Sequence, residues 1–553
     1  MNHYKRFGMT LAILLLLMLV VVPLFFIFLT SIFPNETLNL LAPFRTFLDD
    51  SLKKTFLNTI LLGALVVAGT TLLAFPLAWI MSKTELKKHA WLDVVIMIPF
   101  MTPPYIGSMG WILFMQPNGY FEQFVPLASK LSSYFFSLFG MVMIMSLHLF
   151  PFLYLILRNA LLQVSGSLEE AAFIHGGKAI YSFRRVILPL LFSSYAMGAL
   201  LIFVKTISEF GAPATFGRQI GFYIMTTEIH QYTSHWPIDF SKATSLAAVL
   251  LSTCLILWYL SSVISRRFTY NLVSGKGSKG RVYVLKRWRS WVVWSYIITV
   301  LTLSIGVPYF SIFAASIMKL RGGGLVWQNF TLLHYQKLLT WGSASMEALL
   351  NSLSLSLFTA TICVILGTVF ALAIEESRTW PQRIIDLFSL LPNTVPGIVM
   401  VLGLIIVWNA PWMPIRLYNT YGMVVLTYVI FFLPYTVQYV KANYFQLDKS
   451  LFQAGRVFGG KTLYILRRII LPLLLPGILA GWMMTFTIAI RELVGALMIL
   501  PPSMQTSATY IYAQFEQGNL SLGMAMAVIS VGLTIVMLLA INNISSKRKW
   551  SVE

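Results

Sequence analysis

Residues 455–462, GRVFGGKT, satisfy the pattern G-x-x-x-x-G-K-[ST] letter for letter. Where that pattern does phosphate chemistry it follows a strand and opens a helix, so that backbone amides can cradle the phosphates. Here it lies in a short polar stretch that runs straight into an apolar one. A sister stretch at 172–179, AFIHGGKA, lacks the first Gly and the final hydroxyl, and no segment resembles a soluble nucleotide-binding domain. The match therefore predicts no nucleotide site. A second set, His230 and His235 with Glu228 and Asp239, has the residue types of a metal site. Its core, IHQYTSHWP, contains Pro and has no regular periodicity. Solvent-exposed loop histidines are the expectation, and no metal ligand is assigned. His148 and His175 stand alone. Cys254 and Cys363 sit in apolar runs, too few for a disulfide framework or a cluster.

The elements that carry these residues follow from composition. Of 553 residues, 58% are hydrophobic and 11% charged, and the mean hydropathy is +0.77. An average soluble protein has roughly 45–50% apolar and 25% charged residues. The chain is predicted to be an all-α polytopic membrane protein; disorder, collagen and secreted disulfide scaffolds are excluded. Lys and Arg number 40 against 19 acids, a net charge of +21, which fits loops held on the cytoplasmic side rather than nucleic-acid binding.

A spanning helix needs about 20 mostly apolar residues. Twelve such runs lie near 9–33, 56–81, 91–115, 136–158, 187–208, 243–265, 290–317, 349–374, 384–409, 421–441, 470–499 and 520–542. The first follows a basic start, MNHYKR, but is too long for a signal peptide and lacks a cleavage site, so an uncleaved helix is expected. With twelve spans, Lys5 and Arg6, Lys83, Lys87 and Lys88, Arg184 and Arg185, the basic run from Arg266 to Arg289, and Lys547 to Lys549 all fall on one side. Both termini are then cytoplasmic. Lys53 and Lys54 break the pattern without reversing the bias.

The chain also repeats itself. Residues 168–191, LEEAAFIHGGKAIYSFRRVILPLL, and 451–474, LFQAGRVFGGKTLYILRRIILPLL, agree at about half their positions at a shift of 283. The shared letters include Gly, Lys, Tyr and paired Arg, which apolar coincidence does not produce. The same shift relates Pro151 to Pro434, Arg158 to Lys441 and Glu209 to Glu492. A shift of 293 relates Asn58 to Asn351, Pro99 to Pro392 and Pro103 to Pro396. Two parallel six-helix repeats are predicted, 1–270 and 289–553, joined by a basic cytoplasmic linker at 271–288.

Within the repeated loops, 167–189 and 450–472, the order Glu170-Ala171-Ala172, then Gly176, then Val186-Ile187-Leu188-Pro189 resembles the EAA loop of binding-protein-dependent ABC importer permeases. The second copy, Gln453-Ala454-Gly455 with Gly459 and Ile469-Ile470-Leu471-Pro472, is similar but departs at the acid and at one alanine. The resemblance covers both halves. It implies a type I ABC importer permease-like fold in the bacterial inner membrane. It also implies that each loop is a coupling helix docking on a separate ATP-binding cassette subunit, and that an extracytoplasmic binding protein delivers the substrate. Glu170, Ala171, Ala172, Gly176, Gln453, Ala454, Gly455 and Gly459 would be the coupling residues. ATP and Mg would belong to partner subunits, leaving this chain with no cofactor and no catalytic residue. The local chemistry agrees: Ser167 is a candidate N-cap, acids follow in the first turn, and Gly ends the run. One copy alone would read equally well as an ordinary capped surface helix; two at matching positions favour docking. The missing acid in the second copy predicts unequal contacts.

Charge within a span costs on the order of a few kcal/mol and usually faces a partner or a water-filled route. Glu209 and Glu492 each follow their half's Pro by twenty residues, about 30 Å along a helix toward the outer face. With Arg491 they are candidates for a gate on the translocation pathway. Alternatively, they fix helix ends through ion pairs with Arg491 or Lys205. The Gly after each, in SEFGAP and RELVGA, could break the helix.

The fused layout, with EFGAP and ELVGALMILPP, is similar to the ferric-iron importer permeases, which implies ferric iron as cargo. Phosphonates, thiamine, polyamines or sugar phosphates are alternatives within that resemblance. A secondary transporter would also favour twelve spans in two halves. However, SKTELKKHAW between spans two and three lacks the Gly/Asp/Arg-rich loop of the major facilitator family, and nothing in that class accounts for the doubled loop. A membrane-embedded enzyme lacks a nucleophile–base set. Purified chain alone is expected to show no ATP hydrolysis in a phosphate-release assay; sustained turnover by it would reinstate GRVFGGKT as a nucleotide site.

Overall fold

The computed structural model describes residues 3–33, 39, 41, 43, 49–125, 129–267, 283–374, 379–448 and 450–547. The core of the expected linker, 271–282, lies outside them. Among the described residues the chain is helical, with two isolated bridges, Thr84 to Tyr283 and Met318 to Phe330. Ten helices among the described residues are long and apolar enough to cross a membrane, or up to twelve counting two bent pairs.

The bent pairs correct the expectation that spans three and nine are continuous. Ala90–Met101 meets Pro104–Phe124 at 88°, and Trp380–Asn393 meets Gly397–Trp408 at 109°. Proline causes both breaks. Pro103 precedes Pro104 and is held extended, at φ −57° and ψ 135°, because a following proline ring crowds the helical region. Pro396 takes the same conformation, at φ −56° and ψ 132°. Span eleven is also interrupted: its helix stops at Ala489 and resumes as Val494–Ile499.

By contacts the chain forms two compact units, one of residues 1–45, 229–248 and 331–553, the other of 46–228 and 249–330. Each is built on three packed helices. In the second unit these are Asp50–Lys83, Leu138–Gln163 and Leu188–Ser208; in the first, Ala344–Ala373, Tyr421–Tyr444 and Leu471–Ala489. Small residues set the spacing: Gly63 faces the Phe203 ring and Gly367 faces Thr436, each so closely that an added Cβ would lie 2.8 Å away. Each unit takes in a segment from the other half of the sequence. The unit of 46–228 contains the first span of the second repeat, whose Val307–Ser316 packs on Pro104–Met115. The other unit contains the chain's first span, whose Val22–Ile32 packs on Gly397–Trp408.

These two crossings use the same device. A Cβ on Gly110 would fall 2.8 Å from the Pro308 Cα, and one on Gly403 would fall 2.6 Å from the Pro23 carbonyl oxygen. Backbone thus rests on backbone. Each crossing proline follows a five-residue π turn, Leu17–Val21 before Pro23 and Thr302–Gly306 before Pro308. The same pattern recurs after each repeated loop, where Phe183–Ile187 precedes Pro189 and Leu466–Ile470 precedes Pro472. A proline ring clashes with the carbonyl four residues back; widening the preceding turn by one residue relieves the clash without ending the helix.

Gly110→Ala and Gly403→Ala are each expected to destabilise the protein by about 1–3 kcal/mol, as overpacking does. Gly107→Ala, one turn away on the same helix with nothing within 4 Å of its Cβ position, should leave the melting temperature in detergent unchanged or slightly raised. Equal behaviour of Gly110→Ala and Gly107→Ala would refute the crossing.

Candidate functional site

The repeated loops fold into two short helices, Gly166–Ile174 and Ser450–Val457. Polar caps start both. Ser165 accepts the Ser167 amide at 3.3 Å and bonds the Ser167 hydroxyl at 2.7 Å. The cap is therefore Ser165, two residues earlier than expected; Ser-Gly-Ser offers two hydroxyls, and spacing does not choose between them. In the second copy Asp448 holds the equivalent place and accepts the Ser450 amide at 2.8 Å. The backbone and side-chain hydrogen bonds from Ser450 hold the Asp448 carboxyl below its usual range.

Both helices also end alike. Gly176 and Gly459 are left-handed, at φ +78° and +76°. The next amide closes the end, Gly177 onto the Ala172 carbonyl and Gly460 onto the Gly455 carbonyl, both at 2.9 Å. This arrangement satisfies carbonyls that a helix end leaves open. Nothing lies within 4 Å of a Cβ at Gly176 or Gly459, so glycine is required by conformation and not by space.

The departure at Gly455 has a packing reason. A Cβ there would come 2.9 Å from the Ile465 side chain. In the first copy the equivalent pair is Ala172 and Ser182, where the smaller Ser182 stands in for Ile465 and leaves room for alanine. Ala172 and Gly455 are buried, whereas Glu170, Ala171, Gln453 and Ala454 are exposed. Sequence reasoning missed three apolar side chains beside the left-handed glycines: Ile174 and Val457 are each 83% exposed and Phe458 is 91% exposed. Apolar residues immediately before a helix-ending Gly in a polar loop were the available signal.

Glu209 and Glu492 sit just past the ends of two long apolar helices. Glu209 caps the end of Leu188–Ser208, and its Oε1 accepts the Gly211 amide at 2.9 Å. The Glu492 Oε1 accepts the Gly495 amide at 3.0 Å. Each carboxylate thus serves the short helix that follows it, Gly211–Thr215 or Val494–Ile499. The Glu209 carbonyl accepts the Thr226 hydroxyl at 2.7 Å, and the Glu492 carbonyl accepts the Tyr428 hydroxyl at 3.4 Å. Arg491 adjoins Glu492 at the same break.

The family described as "Binding-protein-dependent transport system inner membrane component" matches residues 74–270 and again 363–551. The chain belongs to this family. Among similar proteins, a Ferric transport system permease protein FbpB of Actinobacillus pleuropneumoniae is 24% identical over 540 residues, 95% of this chain and 76% of its own length. The Fe(3+)-transport system permease protein FbpB 2 of Haemophilus influenzae is 24% identical over 519 residues, 93% of each chain. The Spermidine/putrescine transport system permease protein PotC of Escherichia coli is 27% identical over 217 residues, 39% of this chain and 80% of its own.

In this permease the segment expected to be an irregular histidine loop is helical through Ser234, as Met225–Ser234. The His230 and His235 rings meet edge to face at 5.7 Å. Burial and the neighbouring His235 push His230 down to about 4, and burial pushes Glu228 up. Among the described residues no three His, Cys, Asp or Glu side chains gather as a metal site.

Gly176→Ala and Gly459→Ala should each cost the loop-helix end about 1–2 kcal/mol of left-handed strain, with Asn milder. Hydrogen exchange across 166–177 and 450–460 should speed up in the Ala variants; unchanged protection would contradict the assigned end geometry.

Proposed function

We propose that this permease is the membrane-spanning subunit of an ATP-driven importer, not itself an enzyme, with both termini in the cytoplasm. Two ATP-binding cassette subunits hold ATP and Mg at the cytoplasmic face, and an extracytoplasmic binding protein delivers the cargo. The observation that carries the reading is the doubled loop helix, with its matching left-handed glycine and matching closing hydrogen bond in each half. Glu170, Ala171 and Gly176, with Gln453, Ala454 and Gly459, are the docking residues. Ala172 and Gly455, expected to dock as well, are buried and pack each loop helix from within, and Ile174, Val457 and Phe458 supply apolar contact.

Closure of an ATPase dimer would move the two loop helices, and through the π turns at Phe183–Ile187 and Leu466–Ile470 the membrane helices they lead into. Rigid helices pivoting at such joints can alternate between inward and outward openings. The breaks at Glu209 and at Arg491–Glu492 are the proposed gate. Both carboxylates already accept backbone amides, which favours a role in holding the gate's turns over binding cargo directly.

Ferric iron is the proposed cargo, supported by similarity to ferric permeases across most of the chain. A polyamine is the second reading, favoured by the match to PotC over a single half. The test is to reconstitute the permease with its ATPase and binding protein in liposomes and to compare uptake of radiolabelled ferric iron with that of spermidine. ATP-dependent iron uptake is expected. Gly176→Asp and Gly459→Asp should abolish uptake while hydrolysis continues, and Glu170→Ala and Gln453→Ala should differ in severity. Accumulation without any ATPase present would sink the importer reading, and spermidine uptake without iron uptake would replace the cargo.

A further inference from the structure

A charge pair recurs in the two units at equivalent places. In one, Arg158 Nη2 lies 2.7 Å from Asp93 Oδ2; in the other, Lys441 Nζ bonds Asp386 Oδ1. The acids are related by the shift of 293 and the bases by the shift of 283. Each pair joins the same two elements. Asp93 and Asp386 lie on Ala90–Met101 and Trp380–Leu390, the first arms of the two bent pairs. Arg158 and Lys441 lie near the C-terminal ends of Leu138–Gln163 and Tyr421–Tyr444, which lead directly into the two loop helices.

The surroundings of the two pairs differ. Asp93 also accepts the Tyr154 hydroxyl, one turn before Arg158. The residue equivalent to Tyr154 is Val437, which has no hydroxyl, and Lys441 instead lies 5.8 Å over the Phe445 ring. What recurs is the opposite charge between these two helices, with Arg exchanged for Lys. The partners are 21% and 25% exposed in one pair and 19% and 31% in the other. At that exposure an ion pair offsets its own desolvation and adds little net stability. Direction is what it supplies, since a short charge-assisted bond fixes where one helix stands against another.

We infer that Asp93–Arg158 and Asp386–Lys441 are positioning pairs that tie each loop helix's parent helix to the bent helix beside it, so that movement of the loop helix is passed to the bend. This rests on the importer reading above. If the loop helices receive the stroke of an ATPase, the stroke must reach the helices that break at Pro103 and Pro396, and these bonds join the two elements side chain to side chain. Without them the loop helix would move against the bent arm through apolar contacts that can slide.

The test uses the reconstituted complex of permease, ATPase and binding protein, reading ferric iron taken up per ATP hydrolysed, together with melting temperature and ATPase co-purification. Arg158→Lys and Lys441→Arg, which borrow the other unit's solution, should behave as the unaltered protein. The fourfold variant Asp93→Asn, Arg158→Gln, Asp386→Asn, Lys441→Gln should melt nearly normally and retain its ATPase and hydrolysis. Its iron-to-ATP ratio should fall at least tenfold, with each one-unit double variant in between. An unchanged ratio in the fourfold variant overturns the inference. So does loss of folded protein in the fourfold and both double variants, since the pairs would then be structural. Failure of the unaltered complex to couple uptake to ATP would count against the importer reading and not against the pairs.

Discussion

In a membrane a helix that breaks must find partners inside the protein for every backbone group it releases. This permease breaks its helices repeatedly and meets that demand with short polar side chains placed alike in both halves. The Asn58 amide donates to the Tyr223 carbonyl at 3.1 Å, and the Asn351 amide to the Gln505 carbonyl at 3.0 Å. The Thr59 hydroxyl accepts the Met225 amide at 3.0 Å, and the Ser352 hydroxyl accepts the Ser507 amide at 2.7 Å. Glu209 and Glu492 do the same for the amides of Gly211 and Gly495. Interruptions are therefore built positions: prolines set the two sharp bends, whereas the breaks at Glu209 and Glu492 carry no proline and are held by carboxylate-to-amide bonds.

Proline acts here in two ways that share one cause, its missing N–H and its ring. In Thr102-Pro103-Pro104 and Val395-Pro396 it forces extended backbone and a sharp bend. At Pro23, Pro189, Pro308 and Pro472 the helix continues through a π turn. The difference lies in what surrounds the ring. A helix that can widen by one residue carries on through the proline, whereas at Pro103 and Pro396 the backbone is extended and the helix ends. The result is apolar helical segments separated by bends at fixed places.

The loop helices show how a motif and its packing are adjusted together. Glycine at 176 and 459 is fixed by backbone handedness, so it appears in both copies. At 172 and 455 the requirement is only for volume, and the pairs Ala172/Ser182 and Gly455/Ile465 meet it by exchanging size across the contact. The acid at 170, exposed in one copy and replaced by Gln453 in the other, answers to neither constraint.

The apolar runs, the basic bias of the loops and the shifts of 283 and 293 determined the class, the duplication and the loop pattern, because lipid and helix periodicity impose them locally along the chain. Even the glycines that end the loop helices were legible, since only local conformation demands them. Ser165 and not Ser167 as the cap, and the helical setting of His230, were not, because several local solutions satisfied the same letters. Tertiary structure alone decided that each compact unit takes in the other repeat's first span, with Gly110 meeting Pro308 and Gly403 meeting Pro23. It likewise decided that Asp93 finds Arg158 and Asp386 finds Lys441. These are contacts between residues far apart in sequence, and nothing in a helix's own pattern records which neighbour its small or charged face will meet.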